Sequence, residues 1–246
     1  VSESLQRSAA MAVTLTDHLY EIAGQDARRS DSQAVLPPRH ITYQPRAIER
    51  PEVTTFVWIY WHDGSQGDEL RWSMRSVHQN YQGKAAYVVI GDPPDWYTGP
   101  RLYRERVAAC PDRRYRDTLN KIHAACRSRH IPDEFVWMMD DIYFLDPLKM
   151  SDLLIDRHKG LCDHMPAKYP PFNSFNMQKL RSSQACEMAG LYTNDWCTHL
   201  PHVVQSDKWL YVWEKYRLAE QVLAWEICYG AEFFDHVGCE YFTPFY

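Results

Sequence analysis

Apolar positions in the first half of this chain come as short unbroken runs separated by amphipathic stretches. VTTFVWIYW at residues 53–61, AAYVVI at 85–90 and FVWMM at 135–139 are dense in β-branched and aromatic residues, and each predicts a strand. His62-Asp63-Gly64 closes the first run and Gly91-Asp92-Pro93-Pro94 the second, where proline cannot continue a ladder. Between them, residues 69–80 carry Leu70, Met74 and Val77 on one face behind Asp68, a helix-capping residue type. Residues 115–129 repeat the helical period with Leu119, Ile122, Ala125 and Cys126. Strand, helix, strand is a βαβ unit. Strands apolar on both faces predict a mostly parallel central sheet covered by helices on both sides, an α/β, Rossmann-like domain. A fourth strand is expected at 160–163.

The two ends read differently. Residues 3–24 predict a helix, and residues 25–50, polar and broken by Pro37, Pro38 and Pro45, predict a surface connection. The chain therefore divides into an N-terminal helix and connection at 1–50 and one domain at 51–246. Beyond the Pro- and aromatic-rich PAKYPPFNSFN loop, helices are expected at 177–189 and 206–216, with 217–229 continuing helical. The C-terminal part is thus mainly helical.

Composition narrows the classes. An apolar fraction of 45% with 24% charged residues suits a globular protein. A formal charge of -5 gives no support to a partner held mainly through nucleic-acid phosphates. Seven cysteines without a short C-x-x-C pair argue against a disulfide scaffold or a zinc knuckle. No apolar run approaches the roughly 18 to 20 residues that span a bilayer. The first residues lack the basic start and apolar core of a signal peptide, so a cytoplasmic location is expected.

The chemistry concentrates in FVWMMDDIYFLDP. Asp140 and Asp141 directly follow a buried-type strand, and open α/β sheets bind ligands beyond the carboxyl ends of their strands. Two adjacent carboxylates there suit a hard divalent ion, Mn²⁺ or Mg²⁺, which can hold a diphosphate. A capping or surface-paired Asp-Asp is the plainer alternative. Asp146, before Pro147, reads as a turn residue.

This stretch resembles the metal-binding region of nucleotide-diphospho-sugar transferases, the glycosyltransferase A-type fold, which carries an acidic motif after a central strand. Here the first acid of that motif is missing, since Met139 precedes the pair. The resemblance implies Asp141 as the metal ligand, with Asp140 meeting the metal through water or meeting the ribose. Pieces such as DELRWSMRSVHQNY and THLPHVV are also similar to Stealth-type sugar-phosphate transferases, over about residues 53 to 216.

The resemblance carries further expectations. Asp63 and Asp92, ending the first two strands, fall on the nucleotide rim, with Asp92 as a reader of the base edge. Tyr60, Trp61 or His62 would flank the base. Asn120 and Lys121, on the helix before the acidic strand, would close the nucleotide site together with Arg116. Arg71 and Arg75 read as surface cations. His199 and His164 are candidates to complete the metal site or meet the leaving phosphate, and His202 reads as structural. An inverting reaction needs a base within reach of the acceptor hydroxyl. Asp195 is the candidate, with Trp196 as a sugar-stacking floor, and Asp163 and Asp235 are its rivals. The C-terminal part also carries Glu226, His236 and Glu240, which local pattern does not place in space.

The function implied is transfer of a sugar from a nucleoside diphosphate sugar, with UDP favoured, to a hydroxyl acceptor on a glycan or small molecule. Sugar-phosphate transfer, a phage-type DNA base glycosyltransferase using the basic RLYRER and RRYR segments, and a non-catalytic nucleotide- or glycan-binding module are the alternatives.

Overall fold

The computed structural model describes residues 34–47, 50–61, 68–102, 113–162, 174–234 and 239–241. The expected N-terminal helix at 3–24 lies outside these residues, as do Asp63, Asp163, His164 and Asp235 and most of the RLYRER segment.

The first strand, β1 (Val53–Tyr60), is followed by α1 (Glu69–Asn80), β2 (Lys84–Gly91), β3 (Arg101–Leu102), α2 (Arg113–Cys126) and β4 (Glu134–Met138). Then come α3 (Met150–Leu153), β5 (Arg157–His158), α4 (Ser174–Met188), β6 (His202–Gln205), α5 (Ser206–Lys215), α6 (Trp225–Phe233) and β7 (Glu240–Tyr241). Five strands form one sheet in the order β3-β2-β1-β4-β6. β1 to β4 pair in parallel, and β6 runs antiparallel to β4 through Glu134↔Gln205 to Trp137↔His202. The protein is therefore α/β with a mixed, mostly parallel sheet. No helix among the described residues is long and apolar enough to cross a membrane.

Strand alternation explains the unbroken apolar runs. Phe56, Trp58, Val136 and Met138 face α1, in a cluster with Leu70, Val77, Ile142 and Phe144. Val57, Phe135 and Trp137 face the other way, against Leu119 and Ile122 of α2 and Trp209 and Val212 of α5. Side chains alternate across a strand, so a sheet covered on both sides must be apolar at every position.

Three expectations need correction. Of the strand expected at 160–163, the described residues 160–162 form no regular strand, and Asp163 lies outside the described residues. Lys159 N–H instead donates to Asp195 O (2.8 Å), Asp195 N–H to Gly160 O (2.7 Å) and Cys162 N–H to Thr193 O (3.3 Å), giving only the isolated bridge Leu161↔Asn194. The helix expected through 217–229 is interrupted by turns at 216–220, and α6 starts at Trp225. HVVQ, expected to lie between helices, is the edge strand β6. Its four residues are too short for a periodic signal, and pairing with β4 supplies its order.

Residues 34–47 have no regular secondary structure, as expected of a connection, but they are strapped to α5 and the turn after it. Arg39 N–H donates to Lys215 O (2.8 Å), and the Arg39 guanidinium pairs with Glu214 and Glu220 (both 2.8 Å). The Tyr43 hydroxyl donates to Asp207 Oδ2 at 2.6 Å.

Candidate active site at the strand ends

The carboxyl ends of β1 and β4 open into a cavity of about 470 Å³. Tyr60 and Trp61 contribute from β1, Met139, Asp140 and Asp141 from the end of β4, and Glu69 from the first turn of α1. The rest of the wall comes from Arg114, Tyr115 and Lys121 of α2, Phe175 of α4, His199, and residues 223–226 at the start of α6.

The acidic turn is fixed from α1. Ser73 Oγ donates to Ile142 O (2.6 Å) and accepts from Trp58 Nε1 (2.9 Å). Ser76 Oγ accepts from Phe144 N–H (2.9 Å), and Asn80 Nδ2 donates to Phe144 O. Segment 142–144 is thus clamped along one helix face, which places the two carboxylates just before it at the cavity mouth.

The adjacent aspartates have different environments. Burial pushes the Asp140 carboxyl up to about 6. Its own backbone amide opposes this, and the negative charges of Asp141 and Glu69 add to it. Asp141 is held below the ordinary carboxylate value, first by its hydrogen bond to His199. His199 Nε2 lies 3.1 Å from Asp141 Oδ1, and that contact raises the imidazole pKa against the effect of burial. His199 holds φ at 56°, a left-handed conformation that is uncommon for a residue with a Cβ. Such strain persists where surrounding contacts impose it, and it gathers at functional sites.

Three residues expected at the site therefore converge: Asp140, Asp141 and His199. Lys121 also lines the cavity, but its ammonium is already engaged. It pairs with Asp117 Oδ2 (2.8 Å) and donates to Tyr60 O (3.1 Å), tying α2 to the end of β1. Asn120 is exposed and does not line the cavity, because it projects from another face of α2. Arg116 donates to the carbonyls of Leu218 and Ala219 and so holds the turn after α5. Asp92 sits beyond Gly91 at the end of β2, outside the cavity wall. Arg71 and Arg75 lie over the Trp96 and Trp72 rings, 4.8 and 5.1 Å from the centroids.

The expected base needs the largest correction. Asp195 is 2% exposed and is not in the cavity wall. Its Oδ2 pairs with the buried Lys179 ammonium at 2.9 Å, and its Oδ1 accepts from Cys197 N–H at 3.1 Å. A carboxylate so enclosed cannot reach an acceptor hydroxyl. Trp196 is fully buried, packed edge-on against Phe234 with the rings 5.0 Å apart, and offers no sugar-stacking face. His202, buried among Trp225 and Phe234, has its pKa pushed down to about 4 by burial.

Sequence reasoning missed several wall residues, four of which carry chemistry or stacking surface. Tyr115 and Phe175 stack nearly parallel, 7° apart with centroids at 5.3 Å. Arg114 stands two helical turns before Lys121 on α2. Glu226 is the fourth. It is 7% exposed, and burial pushes its carboxyl up to about 7. Its signal was present in the sequence as a lone acid inside LAWEICYG, since a charge in a buried run is paired or functional.

Among the described residues, no group of three or more His, Cys, Asp or Glu side chains is arranged to hold a metal ion by itself. The donor set at the mouth is two neighbouring carboxylates with Asp141 half-exposed. That suits Mg²⁺ or Mn²⁺, ions commonly held by one or two carboxylates with substrate phosphates and water completing the shell. Comparison with protein-family models and with curated proteins finds no match to this chain.

Proposed function

We propose that this protein is a glycosyltransferase that takes its sugar from a nucleoside diphosphate sugar, UDP-linked in the favoured case, with a divalent ion at Asp140 and Asp141. On this reading its α/β domain is of the nucleotide-diphospho-sugar transferase type. The observation that carries the proposal is the cavity at the ends of β1 and β4, which gathers the adjacent carboxylates, the strained His199 and a parallel aromatic pair. The acidic turn follows a central strand, as the resemblance to that family implies.

Each wall has a task in this scheme. Trp61 and the stacked Tyr115 and Phe175 give the base and ribose an apolar surface. Arg114 supplies paired donors for the diphosphate, a role Lys121 cannot fill while bound to Asp117 and Tyr60. His199 orients Asp141 and keeps it ionised. A bound Mn²⁺ or Mg²⁺ would neutralise the charge that gathers on the departing diphosphate.

Titration calorimetry with UDP, with and without Mn²⁺, tests the reading. Metal-dependent binding is expected for the wild type, with loss of at least tenfold in affinity, about 1.4 kcal/mol, for Asp141→Ala. Asp141 is half-exposed, so the variant should remain folded. Equal UDP binding by both proteins would refute the assignment. The product separates sugar transfer, which releases UDP, from sugar-phosphate transfer, which releases UMP.

A further inference from the structure

Resting on that reading, we propose that Glu226 is the catalytic base that accepts the proton of the attacking acceptor hydroxyl, so that transfer inverts the anomeric carbon.

Among the described residues the cavity wall holds five carboxylates, and the structure distinguishes them. Asp117 is paired with Lys121 and Asp141 with His199. Asp140 adjoins the metal ligand, and Glu69 stands beside it, close enough to raise its pKa. Glu226 lines the same cavity from the first turn of α6, beside Leu223, Ala224 and Trp225.

Its surroundings tune it for proton transfer. From α4 comes Lys179, whose ammonium bonds Asp195. The 195–199 segment brings Asp195, Cys197 and His199, and Asp140 and Asp141 line the same cavity. Burial raises the carboxyl, its own helix amide and Lys179 restrain the rise, and Asp195 adds to it, giving about 7. A base with that affinity is half-ionised near neutral pH, where general-base catalysis is most efficient.

The step balances without a further reagent. The acceptor oxygen forms a bond to the anomeric carbon as the bond from that carbon to the diphosphate oxygen breaks. The electron pair of the broken bond leaves on the diphosphate, and the hydroxyl proton moves to the Glu226 carboxylate. Water serves as acceptor in donor hydrolysis, which removes the need to know the natural acceptor.

The experiment follows UDP release from a panel of α-linked UDP-sugars in water with Mn²⁺, and records the anomer of the freed sugar by NMR. The expected wild-type product is the β-anomer, with a rate that falls on the acid side of about pH 7. Glu226→Gln should lower kcat by about 10²- to 10⁴-fold and lose that acid limb, with UDP affinity unchanged in calorimetry. Glu226→Asp should recover part of the rate. An α-anomer product, or a Glu226→Gln variant that keeps the wild-type kcat, overturns the base. The anomer and the pH profile come from the wild type, so a variant that fails to fold does not protect the idea. UDP binding without UDP release from any donor also overturns the base while sparing the donor site. A wild type that neither binds UDP with Mn²⁺ nor releases it overturns the glycosyltransferase reading itself.

Discussion

Asp195→Ala separates a structural aspartate from a catalytic one. The substitution removes the partner of Lys179, which is itself 5% exposed, and leaves an ammonium enclosed without its counter-charge. Burial works against that ammonium, and Cys197, Asp195 and Glu226 together outweigh it, so its pKa stays above the ordinary lysine value. Breaking a buried pair by deleting one member costs about 3 to 5 kcal/mol. The Cys197 N–H loses its acceptor as well. For a chain of this length each kcal/mol lowers Tm by roughly 2 to 4 °C, so a fall on the order of 10 °C is expected. Thermal unfolding followed by circular dichroism at neutral pH reads it directly. Asp195→Asn keeps an acceptor for Cys197 and should lose less. Replacing both partners by apolar residues, Lys179→Met with Asp195→Leu, should recover most of the loss, since an apolar pair of similar volume is often neutral against a buried ion pair. Folded Asp195→Ala should still release UDP. An unchanged Tm together with abolished turnover would refute the reasoning and return Asp195 to the chemistry.

Three further outcomes follow from the same geometry. Ser73→Ala leaves the Trp58 indole N–H without its acceptor and frees Ile142, so about 1 to 3 kcal/mol should be lost in urea unfolding, with weaker Mn²⁺-dependent UDP binding. An unaltered midpoint would show that the clamp is unimportant. Gly91 holds φ at 128°, and an added Cβ would lie 2.0 Å from Tyr60 O, so Gly91→Ala should cost about 2 kcal/mol or more and displace the carbonyl that Lys121 contacts; wild-type stability would contradict that close approach of the two strand ends. Burial raises Glu226 from its ordinary 4.5 to about 7, so the folded state binds this proton more tightly than the unfolded state. Its contribution is therefore fully present below about pH 4.5 and is lost as pH rises through about 7, a change on the order of 3 kcal/mol. Glu226→Gln should flatten that part of the stability–pH curve, and an identical slope in both proteins would refute the buried placement.

The two walls of the cavity were unequally legible in the sequence, and the reason is physical. The strands and first two long helices are specified by local pattern: VTTFVWIYW and FVWMM are apolar at every position because each face meets a helix layer. Sheet logic then puts whatever follows such a strand on the binding rim, and Asp140 and Asp141 follow one. The opposite wall comes from residues 175, 199 and 223–226, which reach the rim only after β6 has paired antiparallel to β4 and α5 and α6 have packed behind it. No local period encodes that closure. It also explains where the two acids sit. Asp195 lies in a polar, turn-like TNDW segment that reads as exposed, yet the 159–162 strand-like pairing and Lys179 enclose it. Glu226 lies in an apolar run that reads as core, yet it opens onto the cavity because α6 begins there. In both cases polarity of the neighbours pointed the wrong way, because the end of an element, rather than the composition around it, determines which side chains line the cavity.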